Sequence, residues 1–171
     1  HPLILQSLAK LGITDVDDAA RFLDPAKYTP ASPDDLPDMG KTVERLEKAI
    51  KARERILVWG DFDVDGQTAT SLLVGALRGL GAEVSYYIPH RLKEGHGVNV
   101  MRLGGLIDRG AQVILTCDTG IAAHEAVNYA NGRGVDVIIT DHHQLPETLP
   151  AAYAAVNPQR LDVGHPLRTL P

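Results

Sequence analysis

The chain has 171 residues, of which 44% are hydrophobic and 23% charged, a composition typical of a globular domain and not of a disordered segment. Its net charge of -5 argues against a broad basic surface for nucleic acid, although bound divalent cations would reverse the local potential. No apolar run approaches the roughly 20 residues that span a bilayer, and no signal-peptide pattern opens the chain. We therefore expect a cytoplasmic protein without membrane contact, in which the single cysteine, Cys117, is a buried structural thiol.

The first third of the sequence predicts a helical leader. Apolar spacing compatible with a helix covers residues 2–10, and Thr14 or Asp15 can cap a second helix over residues 16–23. Four prolines predict an irregular stretch over residues 24–40, and an amphipathic helix follows over residues 41–54. We accordingly divide the chain into a leader, residues 1–54, and a domain, residues 55–171.

From Arg55 onward, short apolar runs alternate with helical segments. This alternation predicts βαβ units, and hence an α/β fold with a parallel sheet flanked by helices. The predicted strands cover residues 56–59, 84–88, 113–117 and 135–140, with a further short strand near 153–156. The predicted helices between them cover residues 67–80, 98–109 and 122–131.

Three of the predicted strands end in residues that can bind metal ions. Because the carboxyl ends of parallel strands lie at one edge of the sheet, their side chains are expected to meet there. Carboxylates and imidazoles suit manganese, magnesium or zinc. The residues at these strand ends are Asp61, Asp63 and Asp65, then Asp118, then Asp141, His142 and His143.

The first acidic cluster alternates with apolar residues. In an extended backbone its three carboxylates would face one side and repel one another unless a cation lay between them. Gly66 then permits a tight turn before a helix. An alternative is a solvated acidic turn with ordinary helix capping. An EF-hand loop is excluded because the apolar Leu72 stands where its bidentate glutamate would be.

The adjacent His142 and His143 cannot point the same way unless the backbone turns, so one can ligate a metal while the other faces substrate. Asp141 is expected to orient one of the two rings. Considered alone, a histidine pair can be without function, and Asp118 can be a helix cap. A glycine-bracketed loop over residues 88–97 is suited to hold phosphate through Arg91, or is a flexible connection with solvated charges.

Four segments, residues 60–68, 89–97, 118–121 and 140–143, resemble the successive motifs of the phosphoesterase superfamily named for Asp-His-His. Within it, residues 61–66 and 89–97 most resemble the single-strand-specific 5′ to 3′ DNA exonucleases. The resemblance covers about residues 1–160 and implies a two-metal phosphodiesterase, dependent on Mn²⁺ or Mg²⁺, that acts in recombination and repair. It implies single-stranded DNA as substrate, and a single-strand-binding protein and a recombination helicase as partners.

The resemblance also implies roles for individual residues. Small relatives carry a metal-binding histidine where this chain has Trp59, so Asp61 is expected to fill that place. A further aspartate expected downstream has no counterpart before Pro171, so we expect a domain truncated on its C-terminal side and a weak nuclease from these residues alone. The implied ligands are Asp63, Asp65, a bridging Asp118, and His142; the implied substrate contacts are the catalytic His143 and the phosphate-binding His90 and Arg91.

Two alternatives to the exonuclease remain open. One is a phosphodiesterase of the same superfamily that cleaves short oligoribonucleotides or cyclic dinucleotides. The other is a non-catalytic replication scaffold. The long leader and residues 94–97 favour the exonuclease, and the intact carboxylates and paired histidines argue against the scaffold.

Overall fold

The computed structural model describes residues 1–27 and 30–169, which form two compact units divided between Ser32 and Pro33. The first unit contains helices α1 (Pro2–Lys10) and α2 (Val16–Leu23), both as predicted. The Asp15 carboxylate caps α2 by accepting hydrogen bonds from the backbone N–H groups of Asp17 and Asp18. Residues 24–40 were predicted to be irregular, but two of their prolines begin short 3₁₀ helices, Pro25–Lys27 and Pro33–Asp35. Residues 28 and 29 of that stretch lie outside the described residues.

The second unit is the predicted α/β fold. Its five strands are all parallel and lie in the order β2-β1-β3-β4-β5. Within residues 1–27 and 30–169, no helix combines the length and apolar character that a bilayer crossing requires. The elements are α3 (Met39–Ala52), β1 (Arg55–Trp59), α4 (Val64–Gly79), β2 (Glu83–Tyr87), α5 (Val100–Asp108), β3 (Val113–Cys117), α6 (His124–Gly132), β4 (Asp136–Thr140) and β5 (Ala154–Val156), followed by 3₁₀ helices Pro158–Arg160 and Pro166–Thr169.

Strand β3 lies at the centre of the sheet, between β1 and β4, and helices cover both faces. On one face Leu57 and Ile114 pack with side chains of α5 and α6; on the other, Val58 and Leu115 pack with side chains of α3 and α4. Burial on both faces explains why these strands are continuous apolar runs. Cys117 is buried in this core, which raises its thiol pKa, as expected of a structural cysteine.

Helix α3 belongs with the sheet, because its Ala49 is fully buried against β1 and β3. The compact units therefore divide before α3, whereas the sequence pattern led us to divide the chain between residues 54 and 55. The sequence of an amphipathic helix shows that it has an apolar face but not which element packs against that face, so the sequence did not show that α3 packs on the sheet.

The order of the strands determines where a ligand can bind. The chain passes from β1 to β2 on one side, then crosses through α5 to β3 on the other side of β1. At such a switch point the loops leave the two strands in opposite directions and a crevice opens at their carboxyl ends. Asp61 and Asp63 follow β1 and Asp118 follows β3, so the predicted acidic residues border this crevice.

Candidate active site

The acidic cluster after β1 is a helix cap, not an extended segment. Helix α4 begins at Val64, three residues earlier than predicted, and the Asp63 carboxylate accepts a 3.0 Å hydrogen bond from the backbone N–H of Gly66. Gly66 is needed because a Cβ there would lie 2.6 Å from the backbone N and O of Asp61. The expectation of an extended stretch is therefore wrong beyond Asp63, and Asp65 lies exposed in the first helical turn.

Asp61 is buried and its two carboxylate oxygens have partners within the chain. One accepts a 2.7 Å hydrogen bond from the backbone N–H of Phe62, and the other lies 2.9 Å from His96 Nδ1. That Asp61 binds a metal ion stays a prediction, and it requires the ion to replace His96 at the second carboxylate oxygen. His96 was not among the site residues predicted from the sequence. Its flanking glycines, Gly95 and Gly97, both with positive φ, are the signal that marks a shaped turn there.

Asp118 has an unusual backbone conformation for a residue with a Cβ, with φ of +59°. Helix α6 begins only at His124, so Asp118 is not its cap. The Asp118 side chain is 7% exposed, and its Oδ1 lies 2.8 Å from His142 Nε2. Its Oδ2 is buried and, among the described residues, has no hydrogen-bond partner.

The Asp63 and Asp118 carboxylates face each other across the crevice. Burial and the neighbouring Asp63 carboxylate raise the pKa of Asp118, whereas the Gly66 N–H lowers the pKa of Asp63. Opposed carboxylates of this kind are stabilised by a shared proton or by a cation between them. Together with the unpartnered Oδ2 of Asp118, this is the arrangement that a divalent ion fits.

Asp141 organises the histidine pair from a side chain with no exposed surface. Its Oδ1 accepts hydrogen bonds from the backbone N–H groups of His142 (2.8 Å) and His143 (3.1 Å) and lies 2.7 Å from His143 Nδ1. Its Oδ2 accepts from the Ile121 N–H at 2.9 Å. The Nδ1 contact raises the pKa of His143, whose side chain is 58% exposed. Asn157, after β5, donates to the His143 carbonyl at 3.0 Å.

Three residues from two strand ends lie close enough to share one ion. One potential ligand atom from each of Asp118, His142 and His143 lies within 4.8 Å of the other two. In the part of the chain that the structure describes, Asp65 does not belong to such a group, so its assignment as a ligand remains a prediction.

An open groove of about 800 Å³ extends from these residues along the start of α6. His96, Asp118 and His143 line it, as does His124, which is not one of the site residues predicted from the sequence. Arg91 lies over the ring of Phe62, 5.1 Å from its centre, and therefore beside the acidic cluster. His90 directs its Nδ1 back to the Leu92 N–H of its own loop. The structure thus brings Arg91 close to the crevice, and phosphate binding by either residue remains a prediction.

Comparison with known proteins assigns the family. The family model described as the DHH family, N-terminal domain, matches residues 55–166. The chain therefore belongs to the DHH family, as its motifs predict. It is 37% identical to the single-stranded-DNA-specific exonuclease RecJ of Bacillus subtilis (strain 168), over 99% of this chain and 22% of that protein. It is 43% identical to RecJ of Escherichia coli (strain K12), over 79% of this chain and 24% of that protein.

Solved structures show the same resemblance. A crystal structure of exonuclease RecJ bound to manganese matches with a TM-score of 0.72 and 38% identity, over 77% of this chain and 34% of that chain. RecJ of Thermus thermophilus in complex with Mn²⁺ matches with a TM-score of 0.66 and 30% identity, over 83% of this chain and 21% of that chain. The chain spans less than a quarter of the length of the two curated relatives above.

Proposed function

We propose that this chain is the catalytic part of a metal-dependent 5′ to 3′ single-stranded DNA exonuclease that acts in the cytoplasm in recombination and repair. The observation that carries the proposal is the buried Asp118 carboxylate, whose Oδ2 has no hydrogen-bond partner among the described residues. This carboxylate faces that of Asp63, and Asp118 forms a cluster with His142 and His143. Identities of 37% and 43% to RecJ exonucleases support the choice of substrate. Single-stranded DNA, a single-strand-binding protein and a recombination helicase are the partners that follow from this assignment.

Mn²⁺ or Mg²⁺ is the cofactor that we propose, because the carboxylate and imidazole set suits these ions and similar RecJ structures contain one or the other. When bound, a pair of such ions activates a water and neutralises the scissile phosphate. Asp118 would bridge the two ions, with Asp63 and His142 as further ligands and Asp61 and Asp65 completing the set.

The remaining residues act on the substrate. Asp141 raises the pKa of His143 through its contact with Nδ1, which favours the protonated ring, and Nε2 would then donate to a phosphate oxygen or to the leaving 3′ oxygen. Arg91 and His90 would hold a neighbouring phosphate of the same strand. The groove beside His143 gives an extended single strand a path to the crevice.

The test is hydrolysis by the complete gene product in Mn²⁺, with 5′-phosphorylated single strands, duplexes and dinucleotides as substrates. We expect mononucleotides to be released from the single strand. Asp118→Ala should lower the rate by more than about 100-fold, because losing a ligand should cost more than losing a residue that only supports a ligand. Asp108→Ala is the matched control, because this exposed carboxylate pairs with Arg133 at the far end of α5. A preference for dinucleotides, or near-normal turnover by Asp118→Ala, would contradict the proposal.

A further inference from the structure

The loop between β2 and α5 brings two basic side chains to the acidic cluster. The His96 ring lies 4.2 Å from the ring of Phe62 and 2.9 Å, through Nδ1, from Asp61. The guanidinium of Arg91 covers the ring of Phe62 at 5.1 Å. Both side chains are exposed, so the conformation of their loop must hold them in place.

Glu94, in the same loop, is held from three directions. Its carboxylate accepts from the Tyr87 hydroxyl at 2.6 and 2.8 Å, from the His90 backbone N–H at 2.7 Å and from Arg102 Nε at 2.9 Å. Its side chain is only 13% exposed. Tyr87 ends β2 and Arg102 belongs to α5, so the carboxylate joins both ends of the loop to the rigid part of the fold.

These partners belong to the scaffold and not to the crevice. The ring of Tyr87 packs on the fully buried Trp59, with ring centres 4.8 Å apart. Within residues 1–27 and 30–169, the contacts of Glu94 include none with Asp63, Asp118 or the histidine pair. The hydroxyl and the N–H lower the pKa of Glu94 to about 2, so its carboxylate is ionised at neutral pH.

We infer that Glu94 is a positioning residue that sets the conformation of residues 88–97, and through it the placement of Arg91 for a phosphate of the substrate strand. This inference rests on the proposed function for its substrate. Glu94 itself touches no substrate. Glu94 keeps residues 88–97 in one conformation before substrate binds. Without it, the loop would have to become ordered each time a strand binds, and that ordering lowers the affinity.

The experiment compares Glu94→Gln with wild type in the complete gene product, by steady-state hydrolysis of a 5′-phosphorylated single strand in Mn²⁺. A glutamine keeps one acceptor oxygen but turns an amide N–H₂ towards one of the donors. We expect KM to rise roughly tenfold with kcat within about twofold, as for loss of binding that is equal in ground and transition states. In the Arg91→Ala background the same change should have little further effect, because residues that act through one another are not additive.

A second measurement does not depend on activity. Hydrogen–deuterium exchange should be faster in residues 88–97 of Glu94→Gln and unchanged in β1 and β3. Tyr87→Phe, which removes the hydroxyl but keeps the ring on Trp59, should show a smaller effect in the same direction. Glu83→Gln is the matched control, an exposed glutamate at the other end of β2.

The outcomes separate the two proposals. If wild type cleaves no single strand but the loop of Glu94→Gln exchanges faster, the proposed function fails and the loop anchor stands. If Glu94→Gln leaves both exchange and KM unchanged, or raises KM equally with and without Arg91, Glu94 does not act through Arg91 and the inference is overturned.

Discussion

Replacing Asp141 by asparagine is the sharpest test of how the histidine pair is held. The carboxylate contacts four nitrogen atoms, three at Oδ1 and one at Oδ2, in a site with no exposed surface. An amide offers one acceptor oxygen, so its N–H₂ must oppose either the Ile121 N–H or the donors of His142 and His143. The less costly orientation leaves the Ile121 N–H buried without an acceptor.

The size of the effect follows from that orphaned donor. An unsatisfied buried N–H costs about 1–3 kcal/mol, so we expect Asp141→Asn to lower the free energy of unfolding by about 2 kcal/mol. Loss of the negative charge also lowers the pKa of His143 towards its ordinary value. Asp141 holds the backbone of His142, the proposed metal ligand, and the ring of His143, the proposed substrate contact. Because a hydrogen-bond partner behind a metal site is worth roughly 10–100-fold in activity or metal affinity, hydrolysis in Mn²⁺ should fall by that factor.

Urea denaturation in EDTA measures the stability change, and single-strand hydrolysis in Mn²⁺ measures the activity change. Asp108→Asn serves as the control, since it removes a carboxylate whose side chain is 64% exposed. Wild-type stability in Asp141→Asn would refute the assignment of Ile121 and the histidine backbone as its partners. Normal hydrolysis despite a loss of about 2 kcal/mol in stability would show that Asp141 supports the fold and does not position the histidine pair for activity.

Two further predictions follow from the same crevice. Gly66→Ala should destabilise the fold by about 1–3 kcal/mol, because the added Cβ would clash with the backbone of Asp61. Gly75→Ala in the same helix is the control: with nothing within 4 Å of its Cβ, it should stabilise the fold by about 0.5–1 kcal/mol. Denaturant titration measures both changes, and equal effects of the two substitutions would contradict the prediction. The raised pKa of Asp118 means that this carboxyl binds more protons in the folded metal-free protein than in the unfolded chain, so the contribution of Asp118 to stability should fall as pH rises from about 4 through that raised pKa. Asp118→Asn should remove this fall in urea titrations with EDTA, and an unchanged pH profile would show that Asp118 does not titrate there.

Local sequence patterns were sufficient to predict most of the elements. Strand β3 has the predicted bounds, because a strand covered on both faces must be apolar at every position. The start of α4 was placed three residues late because the apolar pattern begins after the cap, and Asp63 provides that cap through Gly66. The motif resemblance likewise selected the family from short runs of residues, which the match to residues 55–166 confirms.

Contacts between distant residues depended on the tertiary structure. The pairs Asp61–His96 and Asp118–His142 join residues 35 and 24 positions apart, and nothing in either local sequence specifies its partner. The sequence by itself determined that carboxylates and histidines end three buried strands. Only the strand order placed β1 beside β3 and β3 beside β4, because pairing between parallel strands is set by how helices pack on the sheet and not by the residues at the strand ends.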